Sequence, residues 1–225
     1  MKPLLENPVY HSLLLNDHHL GFGSEKVKWF DPDVSPFAGF VQDYKDGFND
    51  LYQSLPTGRT ILYATPFTLT QIMNWKLLVE IKGLQFLYDG DPVIEQDLFH
   101  PVLLEQQHVE QMMQLAALTK PGPFGARTIE FGHYYGVFED ERLVAMTGQR
   151  LHIENYTEVS AVCTHPDYLG KGYATALVQH QMNLILRHRQ IPFLHVRADN
   201  QRAIAVYERL GFVLQGEMNF YLLRK

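Results

Sequence analysis

One junction constrains the fold of this chain more than any other. Val159, Ser160, Ala161, Val162, Cys163 and Thr164 run into His165, Pro166, Asp167, Tyr168 and Leu169, then into Gly170, Lys171, Gly172, Tyr173, Ala174 and Thr175. An apolar, partly β-branched run, a proline turn and two glycines ahead of a periodic segment read as strand, turn and helix. Between Gly172 and Arg189, Ala174, Leu177, Val178, Gln181, Leu184 and Ile185 share one helical stripe, and Arg187, His188 and Arg189 stand where cations suit the helix dipole. The first turn of such a helix carries amide N–H groups with no helical partner, and glycines without Cβ atoms let an anion approach them. Glycines serve helix-entry geometry equally well, so both readings stand at this point. The spacing is neither that of a P-loop nor that of a dinucleotide-binding fingerprint.

The neighbouring segments complete a pattern. Tyr134 to Phe138, an acidic turn at Glu139 to Glu141, and Leu143 to Arg150 read as a hairpin, and Thr157 to Thr164 as a third strand. After the helix, Pro192 precedes a strand from Phe193 to Arg197. Asn200 is placed to cap a helix running to Leu210, Gly211 stops it, and Phe212 onward returns as strand. Ahead of the hairpin, Leu103 to Leu118 has helical periodicity. Strand, strand, strand, helix, strand, helix, strand implies a mixed α/β fold, a mixed sheet with covering helices.

Residues 1–94 differ in texture, with a smaller α/β lobe of their own as the expectation. They offer only a strand-like Thr60 to Ala64 and a helix-like Leu69 to Leu78, and the turn residues Asp89, Gly90, Asp91 and Pro92 place a boundary near Ile94. The adjacent His18 and His19 do not share a helix face as metal ligands would, and read as a surface loop.

Charge and cysteine usage exclude several functions. A net charge of -6 without a basic run argues against nucleic acid as a partner. A single cysteine, Cys163, precludes an internal disulfide and fits a reducing compartment. Met1 to Glu6 has no apolar signal core and no stretch has the ~20 apolar residues that span a bilayer. The expectation is a cytoplasmic protein that uses neither membrane nor metal; a homodimer is left open.

Beyond the junction, Asn200 opens the run Asn200, Gln201, Arg202, Ala203, Ile204, Ala205, Val206, Tyr207, Glu208, Arg209, Leu210, Gly211, Phe212. A strand before a Gly-x-Gly loop, followed by an Asn-x-x-Ala helix bearing a Tyr ahead of Gly-Phe, resembles the signature of the GNAT superfamily of acyl-CoA-dependent N-acyltransferases. The resemblance covers about Glu95 to Lys225.

The resemblance implies acetyl-CoA, with Val162, Cys163 and Thr164 pairing their backbone with its pantetheine amides. It implies that Gly170, Lys171, Gly172, Tyr173, Ala174 and Thr175 hold the pyrophosphate and that Asn200 contacts the cofactor arm in addition to capping its helix. Leu169 occupies the position where the family carries Arg or Gln, so that side chain cannot bond a phosphate. Glu158 falls where several members keep a general base acting through water; it reads equally as an outward strand residue. Tyr207 falls where the family often places the acid that protonates the departing thiolate, as against a packed helix tyrosine.

Cys163 reads as a small buried strand residue rather than a nucleophile, because the histidine closest in sequence, His165, stands two residues away beside a proline. His152, His165 and His195 have no assigned role. The reaction implied is transfer of a short acyl group to a primary amine within a ternary complex. The first half is weakly similar to the two-lobed arrangement of glycine N-acyltransferase-like proteins, which favours a small amine or amino acid as acceptor. A module that binds acyl-CoA without turnover is the alternative, and Leu169 favours it.

Overall fold

A computed structural model describes residues 2–70, 72, 74–92 and 100–225. The chain opens with α1 (Pro3–Glu6) and α2 (Pro8–Leu14), then β1 (Gly21–Gly23), β2 (Val27–Phe30), β3 (Ala38–Phe40), α3 (Gly47–Ser54), β4 (Thr60–Thr65) and β5 (Lys76–Leu87). It continues through β6 (Val102–Leu103), α4 (Val109–Thr119), β7 (Tyr135–Glu139), β8 (Arg142–Ile153) and β9 (Tyr156–Thr164). Next come α5 (Tyr173–Arg187), β10 (Ile191–Arg197), α6 (Gln201–Arg209) and β11 (Val213–Arg224).

Strands β1 to β3 form a small antiparallel sheet. The remaining eight form one mixed sheet in the order β4, β11, β5, β10, β9, β8, β7, β6. All neighbours are antiparallel except β9 and β10, which run parallel, the helix α5 making the crossover between them.

The C-terminal half follows its hydrophobic periodicity closely. The hairpin, the third strand, both helices and the returning strand stand where they were expected, and the strand expected from Phe212 is a single one, β11, from Val213. Asn200 caps α6, its Oδ1 accepting from the Ala203 amide at 3.2 Å. In α5 the buried face centres on Leu177, Val178, Gln181 and Ile185, flanked by Tyr173 and Met182 rather than by Ala174 and Leu184. The helix expected from Leu103 starts later, because Val102 and Leu103 pair with β7.

The first half corrects two expectations. Lys76, Leu77 and Leu78 belong to β5, so Leu69 to Leu78 is not a helix; Gln71 and Met73 within it lie outside the described residues, as does the boundary at Ile94. Nor is the first half a lobe apart. β5 pairs with β10 on one side and β11 on the other, and β4 closes that side of the sheet against β11.

Each face of the sheet has its own core. Leu5, Val9 and Leu13 from α1 and α2 and Met112 and Leu115 from α4 pack with Cys163, Phe193 and Met218 on one face. Val178, Met182 and Ile185 from α5 and Ile204 and Tyr207 from α6 pack with Phe86, Val159 and Leu194 on the other. No described helix is long and apolar enough to cross a membrane.

Candidate active site

Strands β9 and β10 share only three residue pairs, Ile191 with Tyr156, Pro192 with Thr157 and Phe193 with Glu158. Beyond Phe193, β10 stays paired with β5 as far as Arg197, while β9 stays paired with β8 as far as Thr164. The two strands therefore separate from a common apex, and the β9 edge from Val159 to Thr164 faces a wedge-shaped opening with no strand partner among the described residues.

The separation has a local cause. The ladder between β8 and β9 slips between Met146/Cys163 and Gly148/Ser160, and within the slip Ala161 takes φ +53°. A non-glycine residue in the left-handed region inside a strand costs on the order of 1–3 kcal/mol and marks a bulge that bends the strand. Small as it is, alanine tolerates this better than its β-branched neighbour Val162 would.

At the end of β9 a 3-10 turn over Pro166–Tyr168 leads into α5. Gly170 at φ +83° and Gly172 at φ +87° both need the left-handed region, and Gly172 is the N-cap of α5. Having no side chain, Gly172 leaves the first-turn amides uncapped, an arrangement suited to an anion. A Cβ built on Gly170 would meet nothing within 4 Å, so the approach to this loop is open. Lys171 is exposed, its Nζ 4.6 Å from the centre of the Tyr168 ring, and Leu169 is exposed as well. The Tyr173 phenol bonds Glu139 on β7 and so ties the start of α5 to the sheet.

The expected binding residues thus line one continuous path, Val162 to Thr164 on the free strand edge and Gly170 to Thr175 around the helix start. Thr164 Oγ1, buried on this path, has no hydrogen-bond partner. Asn200, at the N-cap of α6, is exposed, and its side-chain oxygen accepts the cap bond from the Ala203 amide.

Glu158 sits at the apex and is buried. Arg150 Nε donates to its Oε2 at 2.8 Å and Arg150 Nη2 to its Oε1 at 2.9 Å, while His195 Nδ1 lies 2.7 Å from Oε1. On the far side of that ring, Gln85 Nε2 donates to His195 Nε2 and to the Leu5 carbonyl, each at 2.9 Å. With Nε2 accepting, Nδ1 carries the proton and donates to Glu158. Burial alone would raise the affinity of Glu158 for a proton, but Arg150 and then His195 outweigh it and hold the carboxyl at about 2. The Arg150 guanidinium also lies over the Phe37 ring, 4.9 Å from its centre.

Glu158 is therefore neither an outward strand residue nor a free carboxylate. Arg150 and His195, which sequence reasoning left without a role, complete its shell. Arg150 stands directly across the β8–β9 ladder from Glu158, and an opposite charge in that register was the available signal.

Tyr207 lies on the opposite face of the sheet. It packs with Val159, Leu194 and the partly buried Val162, its ring 6.0 Å from that of Phe212. Burial pushes its phenol well above the ordinary tyrosine range, so it keeps its proton at neutral pH. Because neighbouring strand residues point to opposite faces, Glu158 and Val159 carry the two expected catalytic positions to either side of the opening.

Cys163 is buried toward α4, and burial raises its thiol to about 11 against the smaller lowering effects of Thr119 and the Met146 backbone. A thiol so held is not a nucleophile at neutral pH. Of the three histidines without a role, His195 joins the apex and His152 bonds Asp17, with Nδ1 to Oδ1 at 2.8 Å. His165 Nε2 contacts Arg142 Nη2 at 2.6 Å. Among the described residues no group of three or more His, Cys, Asp or Glu could hold a metal ion.

Comparison with known proteins agrees with this fold. The model of the FR47-like protein family matches residues 134–221, from the hairpin to β11. A solved structure from Novosphingobium aromaticivorans assigned to the GNAT family of acetyltransferases is 32% identical, with a TM-score of 0.91 over 98% of each chain. A GCN5-related N-acetyltransferase from Kribbella flavida, 12% identical, shares the fold at TM-score 0.66 over 97% of this chain and 95% of its own. One from Sphaerobacter thermophilus, 11% identical, does so at 0.56 over 99% and 91%. No curated protein matches the chain.

Proposed function

Because the chain belongs to the GNAT superfamily of N-acetyltransferases, a family of acyl-transfer enzymes, we propose that it moves an acetyl or other short acyl group from acyl-CoA to a primary amine by direct attack in a ternary complex. The observation that carries this reading is the wedge between β9 and β10, opened by the Ala161 bulge and leading to the Gly170–Gly172 turn at the start of α5.

The residues present fit acyl-CoA. The unpaired edge from Val162 to Thr164 offers amide and carbonyl groups to the pantetheine arm as an added strand would, and Thr164 Oγ1 has a hydrogen bond to give or receive. Gly170 to Thr175 hold the pyrophosphate through backbone amides and the helix dipole, with Lys171 adding charge in place of the side chain that Leu169 lacks. Bound there, acyl-CoA supplies the activated thioester carbon. The acceptor is a small amine or amino acid, and a cytoplasmic setting keeps the lone thiol of Cys163 reduced.

The chain's own chemistry is then narrow. An alkylammonium has a pKa near ~10, and a carboxylate held at about 2 is a poor acceptor for its proton. Glu158 accordingly fixes the apex through Arg150 and His195, and the amine arrives as free base supplied by solvent. Tyr207, kept protonated by burial and packed with Val159 and Val162 beside the opening, gives its phenol proton to the departing thiolate, and the proton that the acylated nitrogen sheds returns through solvent to the phenol.

A second reading, an acyl-CoA-binding module without turnover, is favoured by Leu169 and by the apex carboxylate, which Arg150 and His195 fully engage. Thiol release from acetyl-CoA, measured against a panel of amines and amino acids, separates the two. The expected outcome is amine-dependent release, with a melting-temperature rise of several degrees when acetyl-CoA is present at about a hundred times its dissociation constant, where binding adds roughly 2.7 kcal/mol. Tyr207→Phe should keep that rise and the apo stability while lowering turnover about 10²- to 10⁴-fold. A rise in melting temperature without thiol release from any acceptor would establish the binding module; no rise would remove both readings.

A further inference from the structure

A second cavity lies away from the wedge. It has a volume of ≈ 490 Å³ and opens beside Ala64 and Thr65 at the end of β4. That size is within the range of about 300–1,000 Å³ typical of small-molecule sites. In the sheet, β11 and β5 stand between β4 and the strand β10 that borders the wedge.

The walls are of two kinds. One is aromatic: the Phe40 and Tyr63 rings stack at 4.9 Å and 15°, and Phe48 meets each of them edge-on at 5.0 Å. Phe67, 56% exposed, stands at the rim, where Asn219 Nδ2 donates to its carbonyl. The other wall is polar and electron-rich. Asn7 is buried and donates Nδ2 to the Phe40 carbonyl at 2.7 Å, which leaves its Oδ1 without a hydrogen-bond partner. Glu6, half-buried, and Asp43, exposed, add two carboxylates against one cation among the lining residues, the exposed Lys45.

This combination selects against most ligand classes. An anion would face two carboxylates, aromatic π faces and an amide oxygen. A neutral hydrocarbon would fill the aromatic side and leave the Asn7 oxygen unpaired, a buried polar group lacking its bond. A cation with an apolar body meets both walls: its N–H groups reach acceptors on one side, and its charge and hydrocarbon lie against rings on the other.

We propose that this cavity is a binding site for a small organic ammonium ion, separate from the wedge between β9 and β10. The inference is independent of acyl transfer, because it rests on residues that the transfer reading does not use.

The test is a direct titration of the full chain with benzylamine, a cation at neutral pH, and with benzyl alcohol, a neutral molecule of similar size. Trp75 donates Nε1 to the carbonyl of the lining residue Phe48 at 2.9 Å, so tryptophan fluorescence reports occupancy whether or not any acyl group is transferred. Benzylamine should give a saturable change and bind about tenfold more tightly than the alcohol, the scale of a charge-assisted contact over a neutral one. In the Glu6→Gln, Asp43→Asn double variant the two should bind alike; Asn tolerates the φ of +62° at position 43, and an unchanged melting temperature confirms that the variant is folded. Saturating CoA, which carries no acyl group to transfer, should leave the benzylamine affinity unchanged. Absence of a saturable signal, equal affinity for the alcohol in the unaltered chain, retention of the preference in the double variant, or displacement by CoA would each overturn the proposal.

Discussion

Replacing Glu158 by Gln removes one charge from a buried pair and leaves the Arg150 guanidinium, 12% exposed, without its counter-ion, a change that costs about 3–5 kcal/mol. Arg150→Met leaves the opposite charge stranded at similar cost. The double variant Arg150→Met, Glu158→Gln should recover most of the loss, because it buries no charge and its Gln still accepts from His195 Nδ1. Chemical denaturation of the four proteins checks this, and additive losses would mean that the residues do not act as a pair. The same comparison has a pH signature. The folded carboxyl is held at about 2, below the unfolded value near 4.5, so its contribution is present above about pH 4.5 and is lost as pH falls toward 2. The double variant should lack that loss. Glu158 was legible in the sequence as a position but not as a state: its partners lie on β8 and β10, and only the sheet register brings Arg150 and His195 to one carboxylate. Tyr207 was more legible, because a buried tyrosine in a helical stripe is a local property.

At the scale of elements, the loop ahead of α5 separates backbone strain from ligand contact. Gly170→Ala forces alanine into φ +83°, which costs about 1–2 kcal/mol, while its Cβ meets no protein atom within 4 Å. The expected outcome is a small fall in melting temperature together with a much larger fall in acetyl-CoA affinity, more than about tenfold if the pyrophosphate comes close to this residue. A loss of affinity no larger than the loss of stability would place the phosphates elsewhere. This element was readable in advance because glycine spacing and helical periodicity are both local. β5 was not. Leu69, Ile72 and Trp75 stand three residues apart and pack on one cluster, which gives a non-helical approach the spacing of a helix. In β5 itself Leu77 and Val79 are exposed while Phe86 and Leu87 are buried, so no single alternation runs its length.

For the whole molecule, the central place of β5 makes the two halves of the sequence one folding unit. A fragment spanning residues 95–225 would keep every motif of the acyl-transfer half but lose β5 from between β10 and β11, together with β4 and the α1–α2 side of one core. It should show no cooperative thermal transition and should bind a hydrophobic dye, as a sheet with two newly exposed edges and an uncovered face would. A cooperative transition in calorimetry would restore the independent domain that the change of texture near Ile94 suggested. Periodicity could not foresee this arrangement, because it reports how a segment is buried and not which distant strand lies beside it. The position of β11 between β4 and β5 also orders events during synthesis. β5 ends at Leu87 and β11 begins at Val213, so at about 5–20 residues per second the ribosome leaves the facing edges of β4 and β5 waiting for roughly 6 to 25 s. Over that interval the nascent chain presents two unpaired strand edges to its surroundings, the kind of surface on which intermolecular strand pairing begins.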